Sequence, residues 1–334
     1  MIVIPAAVTA MAARGPRWAS WVEHLPDTVD QTLRQWGIRP DGAPTHGHCS
    51  LVVPVRTDDG AAAMLKIGFP EEETEHEHLA LRRWGGHGAV RLLSADPHHR
   101  ALLLERLHAD DLTGVTETQA CEVVADLYRA LHVPALPSLR PLSFYVERWS
   151  AELAALPRGA PIPHRLVEQA VALGRDLIAD RAVPDRVIHT DLHYANVLSG
   201  PGTGVGQQWL AIDPKPVNGD PHYEIAPMLW NRWDEISGGR ERSDLGRNRG
   251  GRERSDLGRN RGGRERSDLG RNRGDVRAGV RRRLWTLVDA AGFDEDRARA
   301  WVLVRMVHNA MWADQDHDHR WLTRCIAVAK AVQD

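Results

Sequence analysis

The chain has 334 residues, 42% hydrophobic and 26% charged, with 43 Lys plus Arg against 45 Asp plus Glu and a formal net charge of −2. That composition fits a globular chain with core enough for two lobes, and the near-neutral balance argues against a dedicated nucleic-acid binder. No run of about 18 apolar residues is present, so no membrane-spanning helix is expected.

Cys49, Cys121 and Cys325 are too few and too far apart for a disulfide framework or a zinc site, which points to a reducing, cytoplasmic setting. Only Lys66, Lys215 and Lys330 are lysines among the 43 basic residues. Each is a candidate for work that a planar guanidinium cannot do. The aromatic residues are skewed, with 12 Trp against three Phe and four Tyr.

In chain order, the apolar opening before Arg14 carries no basic residue and is read as the first ordered segment. Trp18, Trp21, Val22, Leu25, Val29, Leu33 and Trp36 recur at three- and four-residue steps and predict a helix over 16–38. The β-rich runs CSLVVPVRT and AAAMLKIGF flank a turn at Asp58-Asp59-Gly60. An acidic helix is predicted from Glu71 to Trp84, its acids in the first turns where the dipole favours them. AVRLLSA and RALLLERL read as two further strands. Helices are predicted over 116–132, 142–156 and 163–180, a β-like and Gly-punctuated stretch over 186–213, then helices at 276–291, 295–313 and 319–333. Strands with one helix, followed by a helical body holding a β insert, predict an α+β fold of two lobes rather than an alternating βαβ chain. The small β-rich N-lobe spans 1–107 and the larger, mainly helical C-lobe spans 108–334.

The twelve residues GGRERSDLGRNR occur three times over 238–273. Identity this complete reads as recent tandem duplication, and one Leu per copy cannot build a core, so a flexible surface insertion is expected. Each copy carries +2, so the three copies carry +6 and the rest of the chain −8.

The chemistry is carried by VIHTDLHYAN, which holds His189, Asp191 and Asn196 in the spacing H-x-D-x-x-x-x-N, and by WLAID, which ends in Asp213. A hairpin between them would bring Asn196 and Asp213 side by side. Phosphoryl transfer needs this set: a carboxylate that orients the acceptor hydroxyl and takes its proton, here Asp191, and oxygen ligands for magnesium, here Asn196 and Asp213. Lys66, in a strand, can reach the α- and β-phosphates, and Glu77, on the acidic helix, can pair with it. Glu75 competes for that pairing. Glu77 is preferred because Leu81 and Trp84 at +4 and +7 would pack beneath it. His189 is assigned to orienting the catalytic loop rather than to acid–base work. Lys215 either neutralises phosphate or is simply exposed. His317 and His319 are read as a solvated loop, since no fourth metal ligand is indicated.

These stretches resemble the aminoglycoside phosphotransferase superfamily and, within it, the streptomycin 6-kinase and hydroxyurea-kinase family. The resemblance rests on GHGAVRLL at 86–93, Asp111-Leu112, HTDLHYANVL at 189–198, and IDP followed by GDPHYEIAPMLWN through Asn231. It implies an ATP- and magnesium-dependent kinase acting on a small-molecule acceptor. Adenine would lie against the hinge near Glu105 and Leu107, with the loop containing Gly47 and Ser50 over the phosphates. Asp220, Glu224 and His193 would border the acceptor, where carboxylates suit a cationic aminoglycoside, although helix capping serves Asp220 equally well. The competing reading is a catalytically impaired nucleotide-binding regulator of the same fold. A protein kinase fits less well, because the catalytic loop lacks HRD and Asp213 is followed by Pro214-Lys215.

Overall fold

The computed structural model describes residues 2–200, 208–236 and 268–333, with side chains in the last span from 276 onward. Most of the repeat, 238–267, and the expectation that it is flexible lie outside those residues.

The chain opens with α1 (Ala6–Ala10), a 3-10 turn, and α2 (Pro16–Trp36), which starts on a proline and stops at Gly37 in the left-handed conformation. Strands β1 (Arg39–Pro40), β2 (Thr45–His46), β3 (Ser50–Arg56) and β4 (Ala62–Gly68) follow, then α3 (Glu77–Trp84), β5 (Leu92–Asp96) and β6 (Ala101–Glu105). They form one antiparallel sheet in the order β1-β3-β4-β6-β5, with β2 also paired to β3. Alternation sorts the sheet's two faces. Val53, Val55, Ala63, Leu65, Ile67 and Leu103 face a core closed by Val8, Leu25 and Val29 of α1 and α2. Lys66, paired with Val52 and Leu102, is on the opposite face.

The second lobe contains α4 (Glu117–Leu131), α5 (Leu142–Ala154) and α6 (His164–Ala179), then the short strands β7 (Arg186–Ile188), β8 (Val197–Ser199), β9 (Trp209–Ala211) and β10 (Val217–Gly219). After a 3-10 turn over Pro221–Ile225 come α7 (Ala226–Trp230), α8 (Trp233–Ile236), α9 (Asp268–Ala291), α10 (Glu295–Gln315) and α11 (His319–Ala331). β8 and β9 pair antiparallel, Val197 opposite Ala211, so the anticipated hairpin forms and Asn196 adjoins Ile212 through an N–H···O bond of 2.9 Å.

Two boundaries depart from the sequence reading. α9 begins at Asp268, so its backbone takes in the last repeat residues. α3 begins at Glu77, not Glu71. The acids before it are drawn out of helical geometry by partners in the other lobe: Glu72 reaches Arg148 at 3.0 Å, Glu75 reaches Arg140 at 2.7 Å, and Glu73 reaches Lys215 at 3.1 Å. α3 also packs as part of the C-lobe. Leu81 and Trp84 join its core, and Trp84 Nε1 donates to the Leu131 carbonyl at 2.8 Å. One core therefore crosses any boundary drawn at residue 107.

Candidate active site

Lys66 projects from β4 into the cleft between the lobes. Its Nζ donates to both carboxylate oxygens of Glu77, at 2.6 and 2.7 Å, and also to Asp213. Burial alone would lower the Lys66 pKa, but these two carboxylates outweigh it and hold the ammonium above the ordinary lysine range. The positive charge of Lys66 in turn holds Asp213 below the usual carboxylate range, against its own burial. Glu75, the competing partner, is occupied by Arg140 and Arg100.

The catalytic-loop residues are fixed by buried groups. His189 is fully buried, with Nε2 on the Ile212 carbonyl at 3.0 Å and Nδ1 facing the Asp191 N–H at 3.2 Å. Because Nδ1 accepts, Nε2 must carry the proton and the ring is neutral. Burial lowers its pKa in agreement. Both nitrogens are spent on backbone, which suits orientation and leaves nothing for proton transfer. Asn196 Nδ2 donates to the Asp191 carbonyl at 2.8 Å, leaving its amide oxygen outside that bond. Thr190 and Asp213 adopt left-handed backbone, φ 62 and 60°, strain that persists where the surroundings enforce it. Thr190 is enforced through its N–H to Glu224 Oε1, at 2.6 Å, and its hydroxyl to the Lys215 carbonyl, at 2.7 Å.

Three adjoining cavities meet around these residues. One, of about 520 Å³, is lined by Val52, Met64, Leu104, Leu198 and Ile212 and contains Gly47, Ser50, Lys66, Glu105, Leu107 and Asp213. A second, of about 270 Å³, shares Ser50, Lys66 and Asp213 with the first and adds Glu77, Asp191, His193 and Lys215. A third, of about 460 Å³, shares His48, Asp191 and Lys215 with the second. Its walls include Trp149, Trp230, Trp312 and Trp321, which gives four of the chain's Trp residues a common location.

Three expectations change. Glu224 borders none of these three cavities; it is 0% exposed, with Oε1 on Thr190, Oε2 on His132 at 2.7 Å, and its carbonyl on the Tyr128 hydroxyl at 2.8 Å. Burial would raise its pKa, but the His132 hydrogen bond and nearby charge keep it below the usual range. Asp220 is equally enclosed by the His222 N–H and ring, the Trp301 indole at 2.6 Å, and Arg297. Those bonds outweigh burial and lower it to about 2, and it caps the turn before α7. Both acids hold the site from behind and line none of the three cavities. His193 lines the second cavity, its Nδ1 accepting from the Ala195 N–H, and does not line the third. Glu105 lines the first cavity, but its carboxylate bonds the Arg91 N–H at 2.7 Å, bracing the hinge.

Lys215 is not an exposed bystander. It lies 3.1 Å from Glu73 and 3.7 Å from Asp191, where their charges outweigh burial and raise its pKa. His317 and His319 are exposed, and no group of three or more potential metal ligands occurs among the described residues. Glu73, Arg305 and Asn309 are site residues that sequence reasoning missed. For Arg305 and Asn309 the available signal was polar residues in the middle of α10, where nearly every other residue is buried and apolar.

A sheet lobe with a Lys–Glu pair, a helical lobe carrying H-x-D-x-x-x-x-N, and a strand-end Asp define a kinase-type phosphotransferase. The chain belongs to the aminoglycoside/hydroxyurea antibiotic resistance kinase family, whose sequence model matches residues 35–248. It is 33% identical to a streptomycin 6-kinase of Streptomyces glaucescens, over 100% of this chain and 98% of that protein. It is 35% identical to a hydroxyurea phosphotransferase of Kitasatospora aureofaciens, over 99% of this chain and 86% of that one. In fold it is similar to a thermostable mutant aminoglycoside phosphotransferase solved with ADP and hygromycin B, with TM-score 0.55, 13% identity, and coverage of 91% of this chain and 98% of that one. Among the described residues no helix is long and apolar enough to cross a membrane.

Proposed function

We propose that the protein transfers the γ-phosphoryl group of ATP to a hydroxyl of an antibiotic-like acceptor of the streptomycin or hydroxyurea type, inactivating it. The observation that carries this reading is the position of Asp191, shared between the cavity containing Lys66 and Asp213 and the Trp-walled cavity beyond. An acceptor hydroxyl in the third cavity and the phosphates of a nucleotide reaching from the first cavity into the second meet at that carboxylate. The hydroxyl oxygen attacks the γ-phosphorus in line as the bond to the bridging oxygen breaks and ADP leaves. The hydroxyl proton passes to Asp191.

Adenine is assigned to the apolar slot between Val52, Met64, Leu104 and Ile212. Lys66 is assigned to the α- and β-phosphates. Lys215 is assigned to neutralising the transferred group, because it faces both cavities. The donor chemistry fits magnesium: the Asn196 amide oxygen lies outside that residue's bond to Asp191, and Asp213 is an ionised carboxylate in the same cleft. These two would hold the ion, which supplies charge neutralisation across the phosphate oxygens. Every member of the constellation is present, which favours an active enzyme over an impaired regulator.

The test is product analysis by mass spectrometry with ATP, streptomycin and hydroxyurea. Asp191→Asn should lower kcat by about 10²–10⁴-fold while nucleotide affinity stays within a few-fold of wild type. Wild-type-like turnover by that variant would remove Asp191 from the reaction.

A further inference from the structure

Transfer at Asp191 involves only the rim of the acceptor-side cavity. Its deep wall is α10, where Arg305 and Asn309 stand one turn apart on the same face. Asn309 is 6% exposed, lines the cavity, and makes no side-chain hydrogen bond among the described residues. Arg305 also has no ion pair or hydrogen bond among the described residues, and its Nη1 is buried without a partner. Its guanidinium lies over the rings of Tyr223, at 4.6 Å, and Trp230, at 5.2 Å. Aromatic faces hold the cation in position but accept none of its N–H groups. Buried donors left unpaired are costly, and a ligand oxygen offered to them removes that cost.

We infer that Arg305 and Asn309 form an acceptor-recognition subsite for a hydrogen-bond-accepting oxygen, a carbonyl or a carboxylate, on a drug-sized ringed molecule. The inference rests on assigning this cavity to the acceptor. Size comes from the cavity: about 460 Å³ is the range that encloses drug-sized ligands, and a molecule of a few heavy atoms such as hydroxyurea leaves most of it empty. Ring character comes from the walls, where the aromatic side chains of Tyr145, Trp149, Trp230 and Trp312 line the cavity. Polarity comes from Arg305, which repels an ammonium or guanidinium at the deep end. A cationic arm is directed instead to Asp316, on the exposed end of α10.

The test is calorimetric binding to the full-length protein loaded with a non-hydrolysable ATP analogue. The ligands are streptomycin, hydroxyurea and a set of hydroxylated glycosides that differ only in one substituent: carboxylate, carboxamide, ammonium or guanidinium. Wild type should bind the carboxylate and carboxamide members at least tenfold more tightly than their cationic counterparts, and hydroxyurea more weakly than any ringed member. Arg305→Met should abolish that preference with nucleotide affinity within twofold of wild type. Asn309→Asp should shift it toward the cationic members. If Arg305→Met does not fold, Arg305→Lys keeps a charge without the planar fork and should narrow the preference. Equal wild-type affinity for oxygen-bearing and cationic members, or a preference that survives Arg305→Met, overturns the subsite. Because binding is read without turnover, failure of the kinase reading appears separately, as absent phosphorylated product with the subsite preference intact.

Discussion

At the scale of single residues, the site separates groups that face the cleft from groups that aim them. Glu224 is of the second kind. Its two carboxylate oxygens join the strained Thr190 backbone to His132, and no part of it is exposed. Glu224→Ala leaves the Thr190 N–H and His132 without an acceptor, so stability should fall by about 3–5 kcal/mol, the usual cost of breaking a buried pair. Because Thr190 precedes Asp191, kcat should fall as well. Nucleotide affinity should hold, since Glu224 borders none of the cavities. Thermal melts and single-turnover assays on the same preparation check both parts. An unchanged melting temperature with lost activity would return Glu224 to the acceptor. Nothing in the sequence distinguishes this acid from one facing substrate, because its partners Tyr128 of α4 and His132 just past it lie more than ninety residues earlier.

At the scale of elements, local chemistry was legible and lobe-to-lobe chemistry was not. The Lys66–Glu77 pair could be read because a strand and the next helix supply it, with Leu81 and Trp84 marking the buried face. Asn196 and Asp213 could be read because a short hairpin brings them together. The start of α3 could not, since the acids 71–75 answer to Arg140, Arg148 and Lys215 across the cleft, and tertiary pairing overrides helical preference. Arg305 and Asn309 were hidden because α10 is buried on nearly every side and has no single stripe against which a polar face stands out. The β2–β3 hairpin over the cavity containing Lys66 and Asp213 makes its own prediction. Gly47 N–H donates to the Ser50 carbonyl at 3.0 Å, and a Cβ on Gly47 would lie 2.7 Å from Ser50 Oγ. Gly47→Ala should displace that hydroxyl from the cavity and raise the KM for ATP several-fold. The acceptor KM should be unchanged, as both residues lie outside the third cavity. Steady-state kinetics with each substrate varied in turn decides this; a matched rise in both KM values would count against it.

At the scale of the whole molecule, a net charge of −2 produces little general repulsion, so the response to acid is set by particular buried groups. His308, on α10 behind Trp149, is fully buried with neither ring nitrogen hydrogen-bonded. Burial, aided by the nearby charge of Arg305, lowers its pKa to about 3 from the ordinary 6.5. Burial also lowers His48, His189 and His193. The sign follows from proton binding. Below pH 6.5 the unfolded chain takes protons on these rings more readily than the folded chain, so stability falls as pH drops. For His308 the loss runs at about 1.4 kcal/mol per pH unit between 6.5 and about 3. Asp220 adds a second phase: its folded value of about 2 against 3.8 stabilises the protein above pH 3.8, and that contribution is lost as pH falls toward 2. Burial also raises Glu77 to about 7 from 4.5, which favours the fold as pH falls through that window and partly offsets the histidines, so the net decline in melting temperature should steepen below about 4.5. His308→Leu should flatten the first part of that decline and raise stability at pH 5 relative to wild type, because it removes two buried nitrogens without partners along with the titration. An unchanged slope in that variant would mean that His308 is protonated in the fold, and that the acid sensitivity lies with the histidines of the active site.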